Sequence, residues 1–390
     1  MTQSPEFDVI VVGAGSVGNP TAYFLGKEGL RVLVLEELSA SGQGQNKAAI
    51  GGVRATHSDP AKIHLCQSSL EVFSRWKETT GTDIGWKKGG YCFPAFDKKV
   101  ETTLRGLLPI QKRYRLNIDW LETQGISEVV TGINRNGLRG GTYSPDDGQV
   151  SPLKASESFT HEAVRLHAVY RYGESAESFL LEGDAVVGVR TNLGEHRAPV
   201  VVNASGVHAT RLCATVGLDI PILPDSHEAG ISAPVQEFLG PLVVDLRPGP
   251  EGKTTNFYFG QDSDGQIIFC YTPKVPIAGE NRTSTYEFMP IIAARLVEVI
   301  PRLKNLTIRR VWRGLYPMTP DGSPIIGWAP KVKGLLLGVG MCGQGFMLGP
   351  GVGRNLASLV ARGRPEIDTE VFALLSPARD FYAAKKEALK

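Results

Sequence analysis

Phe7-Asp8-Val9-Ile10-Val11-Val12-Gly13-Ala14-Gly15-Ser16-Val17-Gly18 is a β-branched run broken at once by glycines. That is the pattern of a fully buried parallel strand ending in a tight turn. From Ser16 to Lys27 the apolar positions Ala22, Phe24 and Leu25 fall at helical spacing, and Gly29 closes the helix. Arg31-Val32-Leu33-Val34-Leu35 then reads as a second strand, with Glu36 at its carboxyl end and Glu37 beside it. The segment is a βαβ unit with G-x-G-x-x-G at its first turn and an acid 18 residues past the last glycine.

Each part has a physical job. Gly13 permits the turn, Gly15 lets the backbone approach a pyrophosphate, and Gly18 lets the helix pack against the strand. Ser16 and Val17 open the helix, whose N-terminus offers free N–H groups and a positive dipole end to phosphate. Glu36 can accept hydrogen bonds from both hydroxyls of an unphosphorylated ribose. A lone glycine motif is a weak signal, but here strand, helix, second strand and acid stand in order, so the chain reads as a dinucleotide binder. The motif leaves FAD and NAD both open.

Beyond Glu36 a nicotinamide enzyme would continue with further βα units. This chain instead has a polar, glycine-rich stretch from Ser39 to Arg54, containing Asn46-Lys47-Ala48-Ala49-Ile50-Gly51-Gly52. It is too long for a simple turn. Its small residues suit backbone lying flat against a bulky planar ligand, which favours FAD; by composition alone it reads as a mobile surface loop.

Composition sets the outer bounds. At roughly 100–200 residues per domain, 390 residues predict two or three domains. Apolar residues at 42% and charged residues at 21% are ordinary for a globular chain, which excludes disorder, collagen and coiled coil. The 42 basic and 40 acidic side chains leave a net charge of +2, with no electrostatic footprint for nucleic acid or an anionic membrane. Five scattered cysteines offer neither zinc spacing nor a disulfide framework, which predicts no metal and a reducing compartment. No signal-peptide pattern is present, and no apolar stretch approaches the ~20 residues of a spanning helix. These features predict a soluble, cytoplasmic protein.

Further along, helices are expected over 61–80, 100–117, 156–167, 290–300 and 351–362, with a short frayed helix at 385–390. Ala185–Arg190, a turn at Gly194 and Pro199–Val202 read as a small β-meander. Asn256–Phe259 and Gln266–Tyr271, separated by a polar turn, read as a hairpin.

The opening motif, the loop ending in Arg54, Val200-Val201-Val202-Asn203-Ala204-Ser205-Gly206, Trp312-Arg313-Gly314-Leu315-Tyr316-Pro317-Met318-Thr319-Pro320-Asp321-Gly322 and Gly343-Gln344-Gly345-Phe346-Met347-Leu348-Gly349-Pro350 together resemble the FAD-dependent D-amino acid oxidase superfamily. The chain is most similar to its branch of sarcosine oxidases, dimethylglycine dehydrogenases and β subunits of dye-linked proline or opine dehydrogenases, over essentially its whole length. The resemblance implies a mixed α/β fold. A discontinuous FAD-binding domain of Rossmann type, glutathione-reductase-like, would span 1–84, 145–222 and 305–390. A mixed-sheet substrate domain would span 85–144 and 223–304.

It also implies roles. Arg54 would bind a substrate carboxylate, a pairing that the guanidinium fork suits. Tyr258 and Tyr316 would place hydroxyls near the substrate, although buried tyrosines are more often core. Ala204, Ser205 and Gly206 would close over the adenosine side, while Gly343, Gln344, Gly345, Phe346 and Met347 would support the flavin ring. His57 and His227 are pocket candidates; His64, His161, His167, His196 and His208 show no pairing and read as structural. The cysteine that carries the flavin thioether in monomeric sarcosine oxidases corresponds to Gly314, and the histidine through which dimethylglycine dehydrogenases attach FAD corresponds to Lys47 or a neighbour. FAD is therefore expected to be noncovalent. Met347 replaces a second cationic carboxylate ligand. Ile268 replaces the oxygen-activating lysine, which favours a dehydrogenase over an oxidase.

The expected reaction is oxidation of a secondary amine, an N-alkyl amino acid or a proline-like imino acid, to an imine, with electrons passed to a quinone, dye or partner protein. A β subunit of a hetero-oligomeric amine dehydrogenase, a noncatalytic flavin-binding scaffold and an NAD(P)-dependent dehydrogenase are the competing readings.

Overall fold

In a computed structural model that describes residues 6–383 and Leu389, the opening strand Val9–Val12 sits inside a six-stranded sheet. Its neighbours are Val32–Glu36 and Val200–Asn203, both parallel to it. Val169–Tyr172 extends the sheet beyond Val32–Glu36, and Leu335–Val339 followed by antiparallel Ile325–Trp328 extends the other edge. Strands buried on both faces need no polar alternation, and this sheet uses both faces. Val9, Val11, Val32 and Val34 point into one core, with the helices Gly18–Lys27, Pro152–Arg165 and Gly345–Arg362. Ile10, Val12, Leu33 and Leu35 point into a second core, beneath the meander Ala176–Glu182, Ala185–Thr191 and Gly194–Arg197.

The other large element is an eight-stranded sheet running, in order, Ile308–Met318, Leu223–Pro234, Gln266–Pro273, Thr254–Gln261, Leu242–Asp245, Tyr91–Ala95, Gly140–Ser144 and Asp119–Leu121. All its pairings are antiparallel except Leu242–Asp245 with Tyr91–Ala95. Alternate residues again serve opposite faces. Phe257, Phe259 and Phe269 pack with the helix Phe288–Val299, while Tyr91, Phe93, Leu242 and Val244 face the helix Lys98–Arg113. The expected hairpin is present, with Phe257 opposite Tyr271. The strand Ile308–Met318 is an edge of this sheet, although the expected division places residues from 305 onward in the dinucleotide-binding part.

Helix boundaries follow their caps. Asp97 caps Lys98–Arg113 by accepting from Val100 N, so that helix lies two residues earlier at its start than expected and ends at Arg113. Ser151 caps Pro152–Arg165, with Pro152 in the first turn, which moves its start from the expected 156 to 152.

The larger correction concerns the expected helix 351–362, which begins at Gly345. Its glycines are contact points. A Cβ on Gly349 would lie 1.9 Å from Ser16 O, and one on Gly351 2.1 Å from Leu65 O. The expected helix at 385–390 lies outside the described residues, apart from Leu389. No helix among the described residues is long and apolar enough to cross a membrane.

Two glycine substitutions should therefore move stability in opposite directions. Gly106 is helical, exposed and has nothing within 4 Å of an added Cβ, so Gly106→Ala should raise unfolding free energy by about 0.5–1 kcal/mol. Gly351→Ala should lower it by about 1–3 kcal/mol. Urea titration followed by circular dichroism checks both, and equal effects would refute the contact role.

Candidate active site

A continuous cavity of about 690 Å³ runs from the carboxyl ends of the six-stranded sheet to the inner face of the eight-stranded one. Its two ends have different chemistry.

At the sheet end, Gly13 takes φ +101° and its position would put a Cβ 2.6 Å from Ala204 O. A Cβ on Gly18 would lie 1.7 Å from Gly13 O, so Gly18 serves helix packing and does not line the cavity. Gly15 differs from both: an added Cβ there meets nothing within 4 Å and would project into free cavity. Glu36 is buried, with Oε2 accepting from Ala14 N at 2.8 Å and Oε1 from Leu38 N at 3.0 Å. Burial raises its pKa, and these two amides pull it back. Its remaining lone pairs face the cavity, where ribose hydroxyls would need them. Glu37 pairs with His208, Nε2 to Oε1 at 3.3 Å, which corrects the expectation that His208 has no partner.

The glycine-rich loop is anchored and is no mobile surface loop. Gly42 N donates to Ala14 O, Ser16 Oγ to Asn46 Oδ1 and Asn46 Nδ2 to Pro152 O. From the other sheet, Trp312 Nε1 reaches Ala48 O at 2.9 Å and Leu315 N reaches Gln45 Oε1 at 2.7 Å. Asn46, Ala48, Ala49, Ile50, Gly51 and Gly52 line the cavity, whereas Lys47 is exposed and does not.

Ser16, Val17, Ala204, Ser205, Gly206, Gly314 and the segment Gly343–Met347 also line the cavity. Gly343 (φ +79°) lies beneath Tyr316, where a Cβ would fall 2.1 Å from the ring. Gln344 is buried, and its Oε1 has no hydrogen-bond partner among the described residues. A buried acceptor without a partner is costly unless a ligand completes it. The bare turn, the ribose acceptor and this amide oxygen together fit FAD.

Arg54 also lines the cavity, as do Tyr258 and Tyr316 from the strands Thr254–Gln261 and Ile308–Met318 of the eight-stranded sheet. The two tyrosine hydroxyls are 3.0 Å apart. Burial pushes both well above the ordinary tyrosine pKa, so they are neutral hydrogen-bonding groups and not bases. Arg54 is buried, donates to Thr56 O and to Leu389 O at 2.8 Å, and lies over the Phe93 ring.

His57 does not line the cavity. It is fully buried behind Arg54, with Nδ1 3.4 Å from Arg54 Nη1 and Nε2 3.5 Å from Cys66 Sγ. Burial, together with the charges of Arg54 and Lys62, drives its pKa well down, so the imidazole is neutral and can accept from Arg54. His227 does line the cavity. Its ring lies 3.9 Å from that of Tyr316, and its Nε2 is 3.5 Å from Asp225 Oδ2.

Sequence reading missed Tyr91, Asp225 and Leu389. Only sheet register brings Asp225 opposite Tyr316, and only tertiary packing brings Leu389 to Arg54. No local pattern carries either.

The description "FAD dependent oxidoreductase" matches residues 8–359. The chain belongs to that family. It is similar to the crystal structure of L-proline dehydrogenase from P. horikoshii, with a TM-score of 0.90 and 28% identity, covering 98% of this chain and 100% of that one. It is 27% identical to glycine oxidase of Geobacillus kaustophilus, over 95% of this chain and 97% of that protein. Sarcosine dehydrogenase of Mus musculus is 25% identical over 93% of this chain. The chain spans only 40% of that mouse protein and 43% of mouse dimethylglycine dehydrogenase, so it matches about two-fifths of each.

As an FAD-dependent oxidoreductase, the protein should purify yellow and release its FAD on acid denaturation. Gly15→Val should abolish FAD absorbance while leaving the circular dichroism spectrum unchanged, because the added side chain occupies the pyrophosphate's approach and its Cβ meets no protein atom within 4 Å. A yellow Gly15→Val protein would place the cofactor elsewhere.

Proposed function

We propose that the protein oxidises the C–N bond of a secondary amine bearing a carboxylate, an N-alkyl amino acid such as sarcosine or a proline-like imino acid, to the imine. The observation that carries this reading is that Arg54 and the paired hydroxyls of Tyr258 and Tyr316 line the same cavity as the dinucleotide turn. Similarity to an L-proline dehydrogenase over the whole of both chains supports the substrate class.

Bound FAD supplies the two-electron acceptor, which is chemistry no side chain provides. The chain's own residues do the rest. Arg54 exchanges its bond to Leu389 O for the substrate carboxylate and so fixes the substrate's orientation. The hydroxyls of Tyr258 and Tyr316, held neutral by burial, donate to the substrate or to each other without competing for its proton. Tyr91, Leu242 and Val244 form an apolar wall that excludes water and favours the neutral amine, the form able to give up a hydride.

We further infer a dehydrogenase. The resemblance puts Ile268 in place of the oxygen-activating lysine, and among the described residues no lysine lines the cavity to stabilise reduced oxygen as it forms. The acceptor is then a quinone, a dye or a partner protein.

Arg54→Ala should retain FAD and lose about 100-fold in kcat/KM with a dye acceptor, mostly through KM, as expected for the loss of a buried charge-assisted hydrogen bond. An unchanged KM for every carboxylate-bearing amine would remove Arg54 from the substrate site. Turnover with oxygen matching that with the dye would overturn the dehydrogenase reading.

A further inference from the structure

Asp147 is 1% exposed and lies between the strands Gly140–Ser144 and Gly148–Gln149. Its Oδ1 accepts from Ala55 N at 2.9 Å, one residue past Arg54. Its backbone carbonyl accepts from Gly90 N at 2.8 Å, one residue before Tyr91. Arg54 and Tyr91 are both wall residues of the cavity, so this one aspartate ties together the two segments that carry them. An asparagine could hold the same amide, so the fold does not require an ionisable acid here.

The groups that face Asp147 are few. Its Oδ2 is buried with no hydrogen-bond partner among the described residues, Ser144 and the Arg54 guanidinium favour its charged form, and Asp146 is its neighbour. Tyr91 and Tyr143 feel its charge from the adjoining strands, and Asp146 itself is held at the surface by Lys88 at 2.8 Å. The contacts of Arg54, by contrast, are to neutral groups: the carbonyls of Thr56 and Leu389 and the ring of His57. The charge on Asp147 therefore bears directly on how much of the guanidinium's field a ligand can use.

We propose that Asp147 is a positioning residue whose protonation state sets how strongly Arg54 holds a substrate carboxylate. Neutral, it leaves the guanidinium's charge to the substrate; ionised, it offsets that charge and repels the incoming carboxylate. This inference rests on the reading of Arg54 as the carboxylate anchor. Burial pushes the Asp147 pKa up to about 7, against the pull of Ala55 N, Ser144 and Arg54, which places the transition within the ordinary assay range. The sign follows from the raised value. The group is neutral below about pH 7 and ionises above it, so carboxylate affinity is full on the acid side and falls as pH rises.

The test uses the FAD-loaded protein and pyrrole-2-carboxylate, a planar carboxylate without a basic amine, with binding read from perturbation of the flavin spectrum and no turnover involved. Wild type should bind about tenfold more weakly at pH 8.5 than at pH 6, a factor equivalent to one pKa unit. Asp147→Asn should bind with the low-pH affinity throughout. Ser144→Ala, which removes a stabiliser of the carboxylate, should shift the wild-type midpoint upward, and it serves if Asp147→Asn fails to fold. The same pH dependence in Asp147→Asn, or an unmoved midpoint in Ser144→Ala, would overturn the proposal. Arg54→Ala separates the two levels. If it abolishes probe binding while wild type is flat with pH, only the role of Asp147 falls. If it leaves binding intact, or if wild type binds no probe, the carboxylate anchor falls and Asp147's role with it.

Discussion

The whole molecule is arranged around a stretch of backbone that must stay bare. At Gly15 the chain faces open cavity with no side chain in the way, and at Gly13 and Gly18 the neighbouring backbone approaches too closely for any Cβ. A pyrophosphate can be held by N–H groups and a helix dipole only if nothing projects between them. The parallel sheet, the helix behind the turn and the loop laid across it all preserve that approach. Even the glycines of the helix Gly345–Arg362 belong to the same constraint, since Gly349 lets that helix press against Ser16, within the dinucleotide turn itself.

This explains why the sheet end was so legible in the sequence. Strand, turn, helix and acid are contiguous, and each residue type there has one physical reason to be present. The loop from Ser39 to Arg54 was legible in purpose but not in form. Its composition suggested a ligand surface, yet the bonds that pin it come from Trp312 and Leu315, more than 260 residues away. The start of Gly345–Arg362 was missed for a related reason, because what places Gly349 in a helix is its close contact with Ser16, which no local pattern shows.

The substrate end was only partly legible. Arg54, Tyr258 and Tyr316 were nominated through resemblance, and all three line the cavity. Behind them the logic is mostly tertiary. His57 backs Arg54 instead of facing the cavity, Asp225, two residues from His227 on one strand, comes opposite Tyr316 through sheet register, and Leu389 arrives from the far end of the chain. A bare histidine count could not separate His208, paired with Glu37, from one without a role. Long-range placement decides such cases, and one sequence does not encode it in any local pattern.

The central claim is that one cavity holds a flavin at its glycine-lined end and a carboxylate-bearing secondary amine at Arg54. The most direct measurement is the anaerobic visible spectrum of the purified protein, taken before and after addition of sarcosine, proline and a panel of N-alkyl amino acids. The account predicts flavin bands that bleach with at least one of these and return only slowly in air. A yellow protein that none of them bleaches would contradict the substrate class, and a colourless protein that cannot be reconstituted with FAD would contradict the account as a whole.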